Sequence, residues 1–183
     1  MAQAVSDPTI LAAPAPRWRP NKHRWAALGL FIFGGAALTG IADWRDTHGL
    51  LINSSESLPN WAFVIHKTAV PKRGEYVFFV PPADPLVIRH FGAKKQMFGK
   101  IVYGMPGDVV EHRGADVYVA GKLVAHMKPL TRFGEPLVAG PTGVIPAGCY
   151  FVGTPHKDGF DSRYAAIGYA CTKKIVGVGE PIL

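Results

Sequence analysis

Three short segments of this 183-residue chain hold residue types that could carry covalent chemistry. The first is Asn53-Ser54-Ser55-Glu56-Ser57-Leu58-Pro59, three hydroxyls ahead of a proline. In the second, Gly99-Lys100-Ile101-Val102-Tyr103-Gly104-Met105-Pro106-Gly107-Asp108, a lone amine heads an apolar run. The third, Gly159-Phe160-Asp161-Ser162-Arg163-Tyr164, pairs an acid with a guanidinium. A serine hydroxyl is a poor nucleophile until a base takes its proton, and a neutral lysine amine can be that base without a histidine. Free lysine titrates near pH 10.4, so working near pH 7 needs a bias of roughly 4 kcal/mol against the charged form. Burial supplies such a bias, and Ile101-Val102 beside Lys100 offer apolar surroundings.

Each segment also has an ordinary reading. Serines before a proline are common turn residues, and Pro106-Gly107 suits the centre of a type II turn. Exposed lysines usually snorkel to water, and Asp161 with Arg163 makes a local polar turn. Other chemistries find less support. Cys149 and Cys171 form no CxxC motif, and the seven histidines are scattered without metal-ligand spacing, so no metal and no cofactor are expected. Net charge is +7, but Arg17, Arg19, Lys22 and Arg24 account for four of the 20 basic residues. From position 25 onward 16 basic residues face 12 acidic ones, too sparse an excess for a nucleic-acid partner.

These segments need a scaffold, and composition points to a mainly β one. Gly (21) and Pro (16) are too many for a helical bundle and suit short strands joined by turns. Tyr76–Val80, Lys100–Tyr103, Val117–Val119, Cys149–Val152 and Lys174–Val178 read as strands, with a tight hairpin turn at Ala120-Gly121. Lys128–Pro146, interrupted by proline and glycine, reads as a long surface connection. Ahead of this lies Trp25–Ala42, eighteen residues without a charge. As a helix it is about 27 Å long, enough to cross most of a hydrocarbon core of about 30 Å. Its basic N-terminal flank, with Asp43 and Asp46 on the other side, puts the N-terminus in the cytoplasm. The expected organisation is a cytoplasmic tail at 1–24, a transmembrane anchor at 25–42 and an exported domain at 43–183. A cleaved signal peptide is the alternative, since Gly40-Ile41-Ala42 offers small residues before Asp43, but the stretch exceeds the usual apolar length of such peptides. In an exported domain Cys149 and Cys171 could pair; as two small buried apolar residues they would also be unremarked.

Taken together and in order, the segments resemble the signal peptidase I family of serine proteases, and within it the TraF-like branch of conjugative transfer systems. Ser55-Glu56-Ser57-Leu58-Pro59 looks like the nucleophile box, and Lys100 followed by Gly104-Met105-Pro106-Gly107-Asp108 like the box of the general-base lysine. Lys72–Phe79 resembles the strand between them, Val117–Lys122 a later hairpin, and Phe160–Tyr164 the C-terminal box. The contiguous Ser57-Leu58-Pro59 and the short chain are what point to the TraF-like branch. The chain departs from that branch at Pro59-Asn60-Trp61-Ala62-Phe63, where Pro-x-Gly-x-Tyr is common.

The resemblance implies a signal-peptidase-like β-barrel domain behind one transmembrane helix. It further implies a membrane-anchored endopeptidase with Ser57 as nucleophile and Lys100 as general base. The oxyanion donors would be the Ser57 N–H and the Ser55 hydroxyl, with Ser54 as an alternative. Asp161 has either an accessory catalytic role, as the branch suggests, or the plainer one of holding its loop. The implied partners are the cytoplasmic membrane and an exported precursor, a conjugative pilin subunit, and the implied place is the bacterial inner membrane with the catalytic domain in the periplasm. The acyl-enzyme would end in hydrolysis or, through the substrate's own amine, in cyclisation. A general leader peptidase and a non-catalytic β-rich component of a transfer or secretion apparatus are the alternatives.

Overall fold

Asn21 accepts a hydrogen bond from the His23 N–H at 3.1 Å and starts a 26-residue helix, α1 (Lys22–Thr47). In the computed structural model of the protein, residues 21–55, 57–94 and 96–182 are described. The expected tail at 1–24 lies outside them except for its last four positions. The chain divides into two units, Met1–Ala42 and Asp43–Leu183. An eighteen-residue window of α1 has mean hydropathy 1.8, so the helix is long and apolar enough to cross a membrane.

The second unit is mainly β, as its composition led one to expect. In chain order its elements are β1 (His48–Ile52), β2 (Ala62–His66), β3 (Tyr76–Phe79), α2 (Pro85–Phe91), β4 (Phe98–Gly104), β5 (Val109–Arg113), β6 (Asp116–Val119), β7 (Lys122–His126), β8 (Gly143–Val144), β9 (Cys149–Gly153), β10 (Ala170–Cys171) and β11 (Ile175–Pro181). Seven strands form one antiparallel sheet in the order β1-β2-β11-β3-β4-β9-β10, and four form another in the order β7-β6-β5-β8. Register shifts between Val102 and Gly104 and between Ile175 and Gly177 are bulges that add twist and curl the larger sheet. Met105–Asp108 carries the chain from one sheet to the other. Its Asp108 N–H donates to the Met105 carbonyl at 3.1 Å, and Gly107 has φ 91°, the type II turn that Pro106-Gly107 announces. At the β6–β7 hairpin Ala120 (φ 48°) and Gly121 (φ 74°) both take the left-handed region, as a two-residue turn requires.

Side chains on the two faces of the large sheet build separate cores. Val77, Phe79, Phe98, Val102 and Val152 pack on one face together with Val87 of α2. On the other face Leu58, Phe63, Ile65 and Phe78 pack together. The smaller sheet closes over Val110, Val117, Val119, Ile145 and Phe151. Helix α2 was not expected, although Asp84 caps it by accepting from the Leu86 N–H at 2.8 Å and Pro85 opens it. Strands β1, β2, β5, β8 and β10 were also missed. The five strand segments that were expected fall on β3, β4, β6, β9 and β11, with boundaries moved by up to three residues. Lys128–Pro146 is indeed a connection, carrying β8 and two isolated bridges, Leu130–Pro136 and Ala139–Tyr164.

Candidate active site

Strand β4 alternates strictly, with Phe98, Lys100, Val102 and Gly104 turned to the buried side. The sequence reading placed Ile101 beside the amine. In the structure Ile101 points to the opposite face, and the neighbours of Lys100 on its own face are Phe98 and Val102. The Lys100 side chain is 5% exposed, and Nζ stands 5.9 Å from the centre of the Phe98 ring. Burial holds the amine below the ordinary lysine value near 10.5; the Asp161 carboxylate opposes that fall and the Arg163 guanidinium reinforces it. Beyond Ile101, which pairs with Gly153, the segment Phe98–Lys100 has β3 on one side and no partner from β9 on the other.

Ser57 is brought to this strand by its neighbour. Leu58, 5% exposed, is driven into the core with Phe63, Ile65 and Phe78. It can approach β4 because Gly99 has no side chain: a Cβ there would stand 2.5 Å from Phe78 Cε1 and 3.0 Å from Leu58 Cδ1. Buried Thr154, just past β9, donates its hydroxyl to the Ser57 carbonyl. Ser57 Oγ lies 2.7 Å from Ser55 Oγ. Ser54, Ser55, Ser57 and Lys100 all line one cavity of about 260 Å³, together with Asn53, Phe98 and Gly99. A second cavity of about 660 Å³ adjoins it through Ser57, Phe91, His156, Asp158, Gly159 and Phe160. The serine therefore sits where two lobes of a cleft meet.

Asp161 lines neither lobe. It is wholly buried, and its carboxylate accepts from the Thr154 N–H (3.1 Å), the Arg163 N–H (3.2 Å), Arg163 Nε (2.8 Å) and Arg163 Nη2 (2.9 Å). Arg163, 2% exposed, also donates to the Thr154 carbonyl at 2.8 Å and the His126 carbonyl at 3.2 Å. Ser162 Oγ accepts from the Val152 N–H at 3.0 Å. The loop is thus fastened to β9 and to the residue that holds Ser57. Cys149 and Cys171, opposite each other in the β9–β10 pair, form a disulfide that encloses the same loop. Among the described residues no group of three or more His, Cys, Asp or Glu is gathered as metal ligands.

Four contributors were missed by the sequence reading: Asn53, Gly99, Thr154 and His156. Asn53 and Gly99 stood inside the quoted segments, but nothing in their types announced a role. Thr154 and His156 carry no local signal at all, since only the fold brings them to the serine.

A Ser–Lys cleft on a curled antiparallel sheet, with a long apolar helix ahead of it, belongs to the repertoire of serine proteases. The model of the signal peptidase, peptidase S26 family matches residues 23–183, so the chain belongs to that family. The chain is also similar to a signal peptidase I from Enterococcus faecalis, with 22% identity over 60% of this chain and 97% of that chain and a TM-score of 0.39. No curated protein sequence matches it. Family membership makes the protein a signal peptidase-like serine protease, whose class acts on exported precursor polypeptides.

Proposed function

We propose that the protein is a Ser/Lys endopeptidase of the TraF-like branch that processes a conjugative pilin precursor at the outer face of the bacterial inner membrane. One observation carries the chemistry: Ser57 and Lys100, distant in sequence, line the same cavity, and the amine is buried so that its neutral form is favoured. Lys100 takes the Ser57 proton as Oγ attacks the scissile carbonyl. The developing oxyanion is met by the Ser57 N–H and the Ser55 hydroxyl. The amine leaves with the proton returned by Lys100, and the resulting acyl-enzyme is hydrolysed by water or closed into a ring by the substrate's own N-terminal amine. The side of Phe98–Lys100 that β9 leaves uncovered is a place for an extended substrate to add as a strand.

Asp161 is assigned a positioning role, because all four of its hydrogen bonds go to Thr154 and Arg163. Residues 25–42 serve as a single-pass anchor, with 1–24 in the cytoplasm and 43–183 in the periplasm. The TraF-like reading is supported by contiguous Ser57-Leu58-Pro59.

The test uses the full chain in detergent or vesicles with candidate pilin precursors, the products being weighed by mass spectrometry. Processing should occur, and Ser57→Ala and Lys100→Arg should abolish it, since a guanidinium stays charged at any usable pH. A product lighter by one water than the hydrolysed form marks cyclisation. Wild-type rates in either variant would contradict the dyad, and cleavage of unrelated preproteins with the pilin untouched would favour a general leader peptidase.

A further inference from the structure

We propose that Asn53 is a positioning residue that sets the direction of the Ser55 hydroxyl and holds the turn carrying both serines. The inference rests on the reading of Ser57 as nucleophile and Ser55 as oxyanion donor, and it extends that reading to a residue with no role so far.

The Asn53 side chain is tied into this turn at every polar position. Its Nδ2 faces the carbonyl oxygens of Ser55 (2.8 Å), Leu58 (3.3 Å) and Asn60 (3.0 Å). Its Oδ1 accepts from the Ser55 N–H (3.0 Å) and the Ser55 hydroxyl (2.9 Å). Three carbonyls on one side and an N–H on the other leave only one orientation of the amide, because a flipped one would face acceptor to acceptor and donor to donor. The main chain of Asn53 is held as well, its N–H donating to the Trp61 carbonyl at 2.7 Å.

That orientation determines where the hydroxyl protons lie. Oδ1 can only accept, so the single Ser55 hydrogen is directed to Asn53. Ser55 Oγ then accepts the Ser57 hydrogen across 2.7 Å. In the resting enzyme the Ser57 hydroxyl donates to Ser55 Oγ and the Ser55 hydroxyl donates to Asn53 Oδ1. As the Ser57 proton passes to Lys100, the Ser55 hydroxyl rotates and exchanges its bond to Asn53 Oδ1 for one to the oxyanion. A neutral amide suits this exchange: it orders the hydroxyl at rest yet releases it, whereas a carboxylate would form a charge-assisted bond about twice as strong.

The test is a double-mutant cycle on the full chain with a peptide substrate. Ser55→Ala is expected to lower kcat by about 10²–10³-fold, as loss of an oxyanion donor does. Asn53→Ala should lower kcat by about 10–100-fold with KM little changed, and in the Ser55→Ala background its effect should shrink to less than about threefold. Asn53→Gln, which keeps the amide but moves it by one methylene, should give the same pattern and keeps the cycle usable if the alanine variant does not fold. The acid limb of the rate profile, set by Lys100, should not move in Asn53→Ala. Additive losses, a change confined to KM, or an acid limb displaced upward as water reaches Lys100 would reduce Asn53 to a structural residue and overturn the proposal. Undiminished processing by Ser57→Ala would instead overturn the reading beneath it.

Discussion

Replacing Asp161 with Asn should separate stability from the chemistry of the lysine. The carboxylate and the Arg163 guanidinium are both essentially buried and joined by two side-chain bonds of 2.8 and 2.9 Å. An amide keeps the shape but turns an NH2 group toward donors and leaves the guanidinium without its counter-charge. Breaking one partner of such a pair costs about 3–5 kcal/mol. For a domain of this size, roughly 3 °C per kcal/mol, the melting temperature should fall by about 10–15 °C. The effect on Lys100 runs the other way. Asp161 raises the amine's pKa and Arg163 lowers it, so removing the carboxylate takes away the charge that favours the protonated form and leaves the one that opposes it. The lysine must be neutral to act, so the acid limb of kcat/KM should move to lower pH while the fold weakens. Circular-dichroism melting and a rate profile from about pH 5 to 9 measure both, within the range where a buried lysine amine titrates. An unchanged melting temperature would refute the buried-pair argument, and an acid limb displaced upward would refute the electrostatic one.

Gly99→Ala should reduce kcat by about 100-fold while costing only about 1–3 kcal/mol of stability, because the new methyl displaces Leu58 and with it Ser57; a fully active variant would mean that Leu58 does not position the serine. Lys100→Met should stabilise the fold at neutral pH. The folded amine titrates below the unfolded one, so between the two values the unfolded chain holds more protons and stability of the wild type falls as pH falls. The melting advantage of Lys100→Met should therefore grow on acidification through that window, and a pH-independent difference would contradict it. Reducing the Cys149–Cys171 bond, which spans 22 residues, should cost about 3 kcal/mol and slow the enzyme before it unfolds it, since the enclosed loop carries Asp161; unaltered rates in reduced, folded protein would make the bond a packing feature only.

The β class, the apolar helix and the three polar segments could be read from the sequence because each has a local cause. Glycine and proline punctuate strands, and Pro106-Gly107 and Ala120-Gly121 dictate particular turns. What escaped reading depends on tertiary contacts. Strand β2, paired with both β1 and β11, is largely buried and lacks the alternation that marks a strand with one wet face. The apolar neighbours of Lys100 were sought at Ile101 and Val102; the pleat keeps Val102, turns Ile101 to the other face and adds Phe98. Thr154 and Asn53 escaped for a related reason: a threonine or asparagine gains its meaning from the carbonyl groups the fold brings to it.

The most direct test of a serine activated by a neutral lysine is to trap the acyl-enzyme. A slowly turned-over activated ester is reacted with the full chain near pH 8, and the modified residue is located by peptide mass spectrometry. The account predicts the acyl group on Ser57, and none there in Lys100→Arg. Acylation of Ser54 or Ser55 instead, or labelling of Ser57 at the wild-type rate in Lys100→Arg, would contradict it.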